Sequence, residues 1–506
     1  MSPSPRSTST VAHDPRLRWL ALLSMLVVAL ALRLYRLDQQ SLWIDEVSSI
    51  EVARQPLSDI VLNYRPGRHP WRGAEQAPLS FLFMSLIFSP ALPETTARLP
   101  SVLFGVAGVL VVYQLGRAWI DESIGLLAAA LLTLSPLHIW YSQEARWYTL
   151  WILLSMLSYW SLLRAWQLPS WRTWLLYALF TALSIYTFVL SFLVMASQGF
   201  STLLLARQRG GLRFAGAILA AQVAAVIAAA PVFWLILNTL GLTTGTPRPQ
   251  LLAQIPYTFF VYAAGYTVGP TVTSLHSLPG VSRLFIENPS ILFFGLVFAA
   301  LVLLGLARLR QWPTAMIVLV PWLFGPLLLT ALLALVSHVT FQARYSSAAL
   351  PAFLLVVAAG IEGLHSGRLR IAAVVLVVLA CATSLSNHYR NPLYFKEDAR
   401  AAAAYLQTTA ASAPVYVVGQ VGPAVKYYGA DLQVSDIDGC QNDPAAAADG
   451  RLWLVVGRDW QAQGPGCVAH LSAGHEVSSH RNFAGIEVWL FGPTHIALER
   501  GEGNPA

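Results

Sequence analysis

Charge is what this sequence has least of. Only 11% of its 506 residues are Asp, Glu, Lys or Arg, against about 25% in an ordinary soluble domain. No lysine occurs before Lys396. With 56% hydrophobic residues and a mean hydropathy of +0.56, a soluble enzyme on a single anchor is excluded. The composition is that of a polytopic membrane protein. Two further absences narrow the function. No internal repeat is found, and the apolar runs are almost free of charge inside. A transporter built on ionisable residues at the bilayer midplane is therefore poorly supported. No compact metal-ligand motif occurs either, so the sequence fixes no cofactor, and a divalent cation stays open.

The net charge of +7 hides an asymmetry. Residues 1–390 hold 25 Arg and 13 acids, giving +12, while residues 391–506 hold 7 basic and 12 acidic residues, giving −5. The basic excess belongs to arginines flanking apolar runs, and nucleic-acid binding is not expected.

Spans need about 20 apolar residues each. Residues 1–16 are predicted to be a disordered cytoplasmic N-terminus. Spans are predicted at 17–35, 98–117, 122–137, 147–165, 171–188, 189–206, 214–237, 289–306, 314–336, 346–364 and 371–387, eleven in all. The first run lacks a small-residue cleavage site and is followed by many more, so it is read as a span rather than a signal peptide. Arg117, Arg164, Arg172, Arg207, Arg209, Arg213, Arg308, Arg310, Arg368 and Arg370 gather in alternate short connections, which predicts that those face the cytoplasm. Loops 36–97 and 238–288 and the tail 391–506 then lie outside, around a transmembrane body of 17–390.

In the first loop, "DEVSSIEVARQPLSDIVLNYR" predicts an amphipathic helix. "LSFLFMSLIF" is too short to span and predicts an interfacial one. Loop 238–288, with "TTGTPRPQ" and "YAAGYTVGP", reads as turn-rich. In the tail, "DARAAAAYLQTTA" predicts a helix, and "APVYVVG", "RLWLVVG" and "IEVWLFG" predict strands, hence a small α/β domain. A Cys440–Cys467 bridge and two free thiols are both open there.

Against this scarcity the acids stand out. Asp45 and Glu46 follow the first span directly, and an ionised group near hydrocarbon is costly unless it pairs, reaches water or does chemistry. Glu144 and Arg146 are the only charges in "SPLHIWYSQEARWYTL", on the same predicted outer face. Two carboxylates there suit a general base with a charge-stabilising or metal-binding partner. The bland alternatives are solvated interfacial acids and a surface Glu144–Arg146 pair, worth little. Trp140, Tyr141, Trp147 and Tyr148 fit an interfacial aromatic belt or the lining of a sugar site. Arg344 and Tyr345, in "FQARYSSAALPAF", open a late span; a guanidinium there suits a lipid phosphate or simply snorkels. His69, His138, His276 and His338 are predicted near the outer face, each more naturally an isolated polar residue than a ligand.

Taken in order, "SLWIDE", "QAPLSFLF", "ARLPSVLFGVAGVLVVYQLGR", "LLTLSPLHIWYSQEARWYTL", "ARYSSAALPAF" and "KEDARAAAAYL" resemble bacterial glycosyltransferases of the GT-C superfamily. The likeness is to the dolichyl-phosphate-mannose–protein mannosyltransferase-like group, which includes aminoarabinose transferases. It covers nearly the whole chain, and only weakly 238–340. The resemblance implies an α-helical polytopic fold with a long first extracytoplasmic loop. It further implies a polyprenyl-phosphate sugar donor, inversion at the anomeric carbon, and a site on the extracytoplasmic side of the plasma membrane. It places the general base at Asp45, with Glu46 as its usual neighbour, and a second acid at Glu144, where a divalent metal is one option. Arg344 and Tyr345 fall near the donor phosphate. Independently of the resemblance, Arg65, Arg68 and Arg72 of the first loop are read as further cations for the phosphate, and Trp140, Tyr141, Arg146 and Tyr148 as candidates to line acceptor or sugar.

Two departures from the family pattern bear on donor and metal. Gln76-Ala77-Pro78 stands where relatives often carry His-Pro-Pro, and Tyr186-Thr187-Phe188 where they often carry Tyr-Thr-His. The expected acceptor is a lipid, glycan or protein hydroxyl; hexose, pentose and aminoarabinose all remain open as the sugar. The carboxylates of Asp45 and Glu144 are expected to converge on one reaction chamber. A flippase-like transporter and a non-catalytic scaffold are the rival classes; only the enzyme accounts for the paired acids and Arg344.

Overall fold

The computed structural model describes residues 14–61, 78–207, 211–232, 251–271, 286–336, 341–410, 413–440, 450–459 and 463–493. The chain forms two compact units. One takes in the described residues of 14–37, 52–270 and 278–389, the other those of 38–51, 271–277 and 390–493. The boundary between Glu51 and Val52 falls inside a helix.

In chain order the helices begin with α1 (Pro15–Leu34), α2 (Ile44–Ala53), α3 (Leu57–Val61) and α4 (Leu79–Ile87). The bundle continues with α5 (Pro93–Trp119), α6 (Glu122–Leu134), α7 (Pro136–Ser142), α8 (Tyr148–Gln167), α9 (Trp171–Ile185), α10 (Ser191–Ala206) and α11 (Gly211–Ala228). It closes with α12 (Leu251–Ala264), α13 (Pro289–Leu309), α14 (Pro313–Val336), α15 (Leu350–Gly363, entered through a 3₁₀ stretch Ala343–Ala349) and α16 (Gly367–Arg390). Six stretches among the described residues are long and apolar enough to cross a membrane: α1, α5, α13, α14, α15 with its 3₁₀ lead-in, and α16. The pair α6–α7 makes a seventh if its two bent halves count as one span. The predicted spans at 17–35, 98–117, 289–306, 314–336, 346–364 and 371–387 fall on these six and 122–137 on the bent pair, whereas those at 147–165, 171–188, 189–206 and 214–237 fall on α8, α9, α10 and α11, which are shorter or less apolar, with 233–237 outside the described residues.

The elements follow local chemistry. Asp14 accepts from the Arg16 amide and Pro15 opens α1, a typical helix start. The amphipathic helix expected over 45–65 is instead two, α2 and α3, because Pro56 has no amide hydrogen to continue the first; residues 62–65 lie outside the described residues. The "LSFLFMSLIF" stretch is helical as α4. The expected loop 238–288 contains a helix, α12, and "YAA" of "YAAGYTVGP" is its last turn. The turn proper starts at Gly265, with φ +74°, and includes Gly269, with φ +113°.

The core of this unit is α15, whose residues Leu350–Ile361 are all buried. It lies against α13 at touching distance: a Cβ on Gly305 would meet the Val356 carbonyl oxygen at 2.0 Å, and one on Gly360 the Leu301 carbonyl oxygen at 2.0 Å. Small residues that let backbones meet are how helices associate without a hydrophobic drive between them. The outer helices turn apolar residues outward, Leu303 at 68% exposure and Ile371 at 67%, as lipid contact requires.

The second unit is built on a five-stranded sheet: β1 (Val415–Val418), β2 (Val434–Asp436), β3 (Leu452–Gly457), β4 (Glu476–Phe483) and β5 (Ile486–Gly492), in the order β2-β1-β3-β5-β4. β1 runs parallel to β2 and β3, and β5 antiparallel to β3 and β4. The three strands expected from sequence are β1, β3 and β5, and the expected helix is α17 (Ala399–Thr409), capped by Asp398. Two shorter helices, α18 (Gly422–Tyr428) and α19 (Gln463–Gly474), complete the unit. Cys440 and Cys467 are joined in a disulfide with Cα atoms 5.0 Å apart, so the bridged alternative holds. Cys381 is a buried free thiol.

Candidate functional site

The bend that carries Glu144 is set by a buried arginine. Ser135-Pro136 breaks the α6–α7 pair by 56°. Pro136 has no N–H to give the Leu132 carbonyl, and the carbonyls ending α6 are left over, as at any helix C-terminus. Arg33, in the last turn of α1 and wholly buried, fills that deficit. Its Nη2 donates to the Leu132 carbonyl at 3.1 Å and lies 2.9 Å from His138 Nδ1; its Nη1 donates to the carbonyls of Ala29 at 3.0 Å and Thr133 at 3.3 Å; its Nε donates to Ser142 Oγ at 3.1 Å. All five guanidinium N–H groups are thus used. Because arginine only donates, His138 accepts through Nδ1 and is the neutral Nε2–H tautomer. The cation sits at the C-terminal ends of both α1 and α6, where the helix dipoles favour positive charge. Gly105 of α5 leaves room for this socket, since a Cβ there would meet Ser142 Oγ at 2.3 Å.

Beyond the socket, Gln143 ties the bend down. Its Nε2 donates to the carbonyls of Arg33 at 2.9 Å and Tyr35 at 2.8 Å, and its Oε1 lies 2.8 Å from His388 Nε2. Glu144 and Arg146 follow, 2% and 6% exposed, with the Arg146 amide turned back onto the Glu144 carbonyl at 2.8 Å. Ser101 donates to the Arg146 carbonyl. The idea of a surface Glu144–Arg146 pair is therefore corrected: both side chains are in the interior.

The aromatic residues around them are also interior. Tyr141, Trp147 and Tyr148 are at most 2% exposed, which rules out a headgroup-level belt for these three. Tyr148 lies between Tyr141 and Trp147, with ring centroids 4.2 and 4.1 Å away. Tyr141 shares a 2.8 Å hydroxyl–hydroxyl hydrogen bond with Tyr266, and Trp140 meets the Tyr266 ring edge-on at 5.8 Å. The Glu144 carboxylate is within Coulombic range of Tyr141, and the Arg344 guanidinium within range of Tyr266. Burial pushes the Tyr266 phenol well above its ordinary value, against the pull of the Tyr141 hydrogen bond and the Arg344 charge. Arg344 lies over the Tyr345 ring at 5.3 Å, and Tyr345 is 5.8 Å from Phe188. Phe188 in turn stacks on Trp147 at 3.6 Å. The structure thus brings Trp140, Tyr141, Glu144, Arg146, Tyr148, Arg344 and Tyr345 into one neighbourhood, completed by Tyr266, Trp147 and Phe188. Where relatives were expected to carry histidine, this chain places a stacked phenyl ring.

Asp45 and Glu46 belong to the other unit. Both occupy the first turn of α2, where a helix favours acids. Asp45 is half-buried, and its carbonyl accepts from Ser49 Oγ at 2.8 Å. Glu46 is 0% exposed and pairs with Lys396, Oε2 to Nζ 3.3 Å.

Arg65, Arg68, Arg72, His69, Gln76, Ala77, His276 and His338 lie outside the described residues. Among the described residues no group of three His, Cys, Asp or Glu side chains converges as a metal would need. Sequence reasoning missed Arg33, Gln143, His388, Tyr266 and Lys396 as partners of the site stretches. Arg33 had a usable signal, a charge near the outer end of an apolar run, with a Ser-Pro break elsewhere.

Comparison with known proteins matches this geometry to a fold. Residues 75–235 match the family model described as dolichyl-phosphate-mannose-protein mannosyltransferase. Among solved structures, ArnT from Cupriavidus metallidurans in the apo state superposes with a TM-score of 0.60 at 13% identity, over 94% of this chain and 98% of that one. The chain has the ArnT-like GT-C fold. ArnT bound to undecaprenyl phosphate gives 0.55 at 14% identity, with the same coverage. The oligosaccharyltransferase AglB from Archaeoglobus fulgidus, in complex with an inhibitory peptide and a dolichol-phosphate, gives 0.52 at 12% identity over 96% of this chain and 75% of that one. No curated protein matches the sequence. The family match spans α4 to α11, so it contains the Arg33-held bend, Glu144 and Phe188.

Proposed function

We propose that this chain is an inverting glycosyltransferase of the plasma membrane, moving a sugar from a polyprenyl phosphate to an extracytoplasmic hydroxyl. Asp45 takes the acceptor proton as the hydroxyl oxygen bonds to the anomeric carbon. The bond from that carbon to the phosphate oxygen breaks, its electron pair leaves with polyprenyl phosphate, and the anomeric centre inverts. Arg344, with Arg65, Arg68 and Arg72 as further candidates, offsets the charge growing on the phosphate, where preorganised donors count most. Tyr345 braces Arg344 through its ring. Glu144 and Arg146, backed by Trp140, Tyr141 and Tyr148, orient the acceptor.

The observation that supports this reading most is the fold match to ArnT over 94% of the chain, including the form holding undecaprenyl phosphate. A divalent cation fits this site poorly. No three-ligand group converges among the described residues, and Phe188 of the Glu144 neighbourhood has no donor atom. No step is therefore routed through a metal.

The test is turnover by the full chain in lipid nanodiscs, offered undecaprenyl-phosphate-linked hexoses, pentoses and aminoarabinose, with release of undecaprenyl phosphate as readout. Wild type should release it from at least one donor. Asp45→Asn should remain folded and lose about 10²-fold or more of the rate, the scale of general-base catalysis. Release that is indifferent to Asp45→Asn, or absent with every donor, overturns the proposal.

A further inference from the structure

The tail unit is more than an appendage, because it holds the segment that carries Asp45. Residues 38–51 are stitched into it by hydrogen bonds and ring contacts with residues 396–458. Arg400 Nη2 donates to the carbonyls of Asp38 at 3.2 Å and Gln39 at 2.8 Å, and Gln40 Oε1 accepts from the Lys396 amide at 3.1 Å. Ser41 Oγ donates to the Glu397 carbonyl at 2.6 Å, and the Leu42 amide donates to the Tyr428 hydroxyl at 2.8 Å. Trp43 follows, with the Arg458 guanidinium 4.3 Å and the Lys396 ammonium 5.6 Å from its ring centre. Arg458 is itself held by Glu397, Nε to Oε1 2.7 Å. The run ends on Glu46, wholly buried and paired at 3.3 Å with Lys396, a lysine that is only 9% exposed.

These contacts fall into two kinds. The contacts at 38–42 fix the path of the chain by hydrogen bonds to backbone. The Glu46–Lys396 pair is different: it grips the first turn of α2 at the residue directly after Asp45. The Glu46 carboxylate is committed to the Lys396 ammonium. An ion pair out of water is costly to form, and breaking it by removing one partner leaves the other charge stranded. Its place in the chain therefore needs a return in geometry.

We infer that Lys396 is a positioning residue. Through the buried pair with Glu46, the tail unit sets the height and rotation of the α2 first turn, and so the direction in which Asp45 presents its carboxylate. Glu46 is an anchor here, not a proton carrier. The inference rests on the proposed role of Asp45 as the base.

The test uses the full chain in nanodiscs and two readouts. Hydrogen–deuterium exchange of residues 42–51 reports the anchoring; residues 452–457 of β3 serve as the internal control for folding. Lys396→Met and, should that variant fold poorly, Glu46→Gln should each speed exchange in 42–51 by about tenfold or more while 452–457 is unchanged. Lys426→Met removes the other lysine, whose pair with Asp436 at 2.5 Å is exposed, and should leave 42–51 as in wild type. With an undecaprenyl-phosphate sugar that wild type uses, the two anchor variants should lower kcat by about 10- to 100-fold at unchanged KM for the donor, the cost of a small misplacement of a reacting group. Unchanged exchange in 42–51 overturns the inference. So does a loosened helix with wild-type kcat. Failure of the underlying functional reading looks different: wild type then uses no donor at all, while the exchange measurement still decides whether Lys396 anchors α2.

Discussion

Replacing Arg33 with methionine keeps the bulk of the side chain and removes every donor. Three acceptors then lose their partner: the carbonyls of Leu132 and Thr133 and Nδ1 of His138. The Ala29 carbonyl keeps its place in the helix ladder, and Ser142 Oγ still donates to the His138 carbonyl at 2.7 Å. An unsatisfied buried polar group costs about 1–3 kcal/mol, so three set a gross loss of about 3–9 kcal/mol. Against this, the guanidinium no longer has to be stripped of water, which returns several kcal/mol. The favourable interaction with two helix ends also disappears, about 0.3–1 kcal/mol each. The net expectation is a destabilisation of about 3 kcal/mol, or roughly 100-fold in the folded-to-unfolded ratio. Arg33→Lys should fall between the two, because an ammonium offers three donors from one point and cannot fork toward α1 and α6 together. Reversible unfolding in mixed detergent micelles measures the difference, and exchange of residues 135–147 should rise in the same order. If both variants unfold within about 0.5 kcal/mol of wild type, a surface-like cost, the argument that Arg33 completes the broken helix is wrong.

Two other outcomes follow from the packing. Gly360→Ala puts a methyl group 2.0 Å from the Leu301 carbonyl oxygen, so α13 and α15 must separate; we expect a loss of about 1–3 kcal/mol in the same unfolding assay, whereas Gly295→Ala, with nothing within 4 Å, should be neutral or better. Cys440→Ser opens a loop of 27 residues, which should cost the tail unit about 3–4 kcal/mol, read as faster exchange in β3 with the transmembrane helices unaffected.

Much of the fold could be read from the sequence because its signals are local. Asp14-Pro15 announces α1, long uncharged runs announce the spans, and the valine-rich runs at 415–418 and 452–457 announce strands covered on both sides. What escaped depends on partners distant in the chain. β4 reads "EVSSHRNF", mostly exposed and without alternation, and is a strand only because β5 pairs with it. The single helix expected over 45–65 overlooked Pro56, although the signal was present. In the site, the acids and Arg344 drew attention because charge is rare, whereas the side chains that fix them did not. Lys396 lies 350 residues from Glu46, and Arg33 lies 105 from His138. No spacing rule links such pairs; only the folded chain does. Likewise Trp147 and Tyr148 suit a membrane interface by composition, and only burial shows them in the interior.

The most direct test of the account is the stereochemistry of transfer. A donor carrying a ¹³C label at the anomeric carbon, incubated with the full chain and an acceptor it uses, allows the product configuration to be read by NMR. Single displacement assisted by Asp45 predicts a product of opposite anomeric configuration to the donor. A product of retained configuration would contradict it.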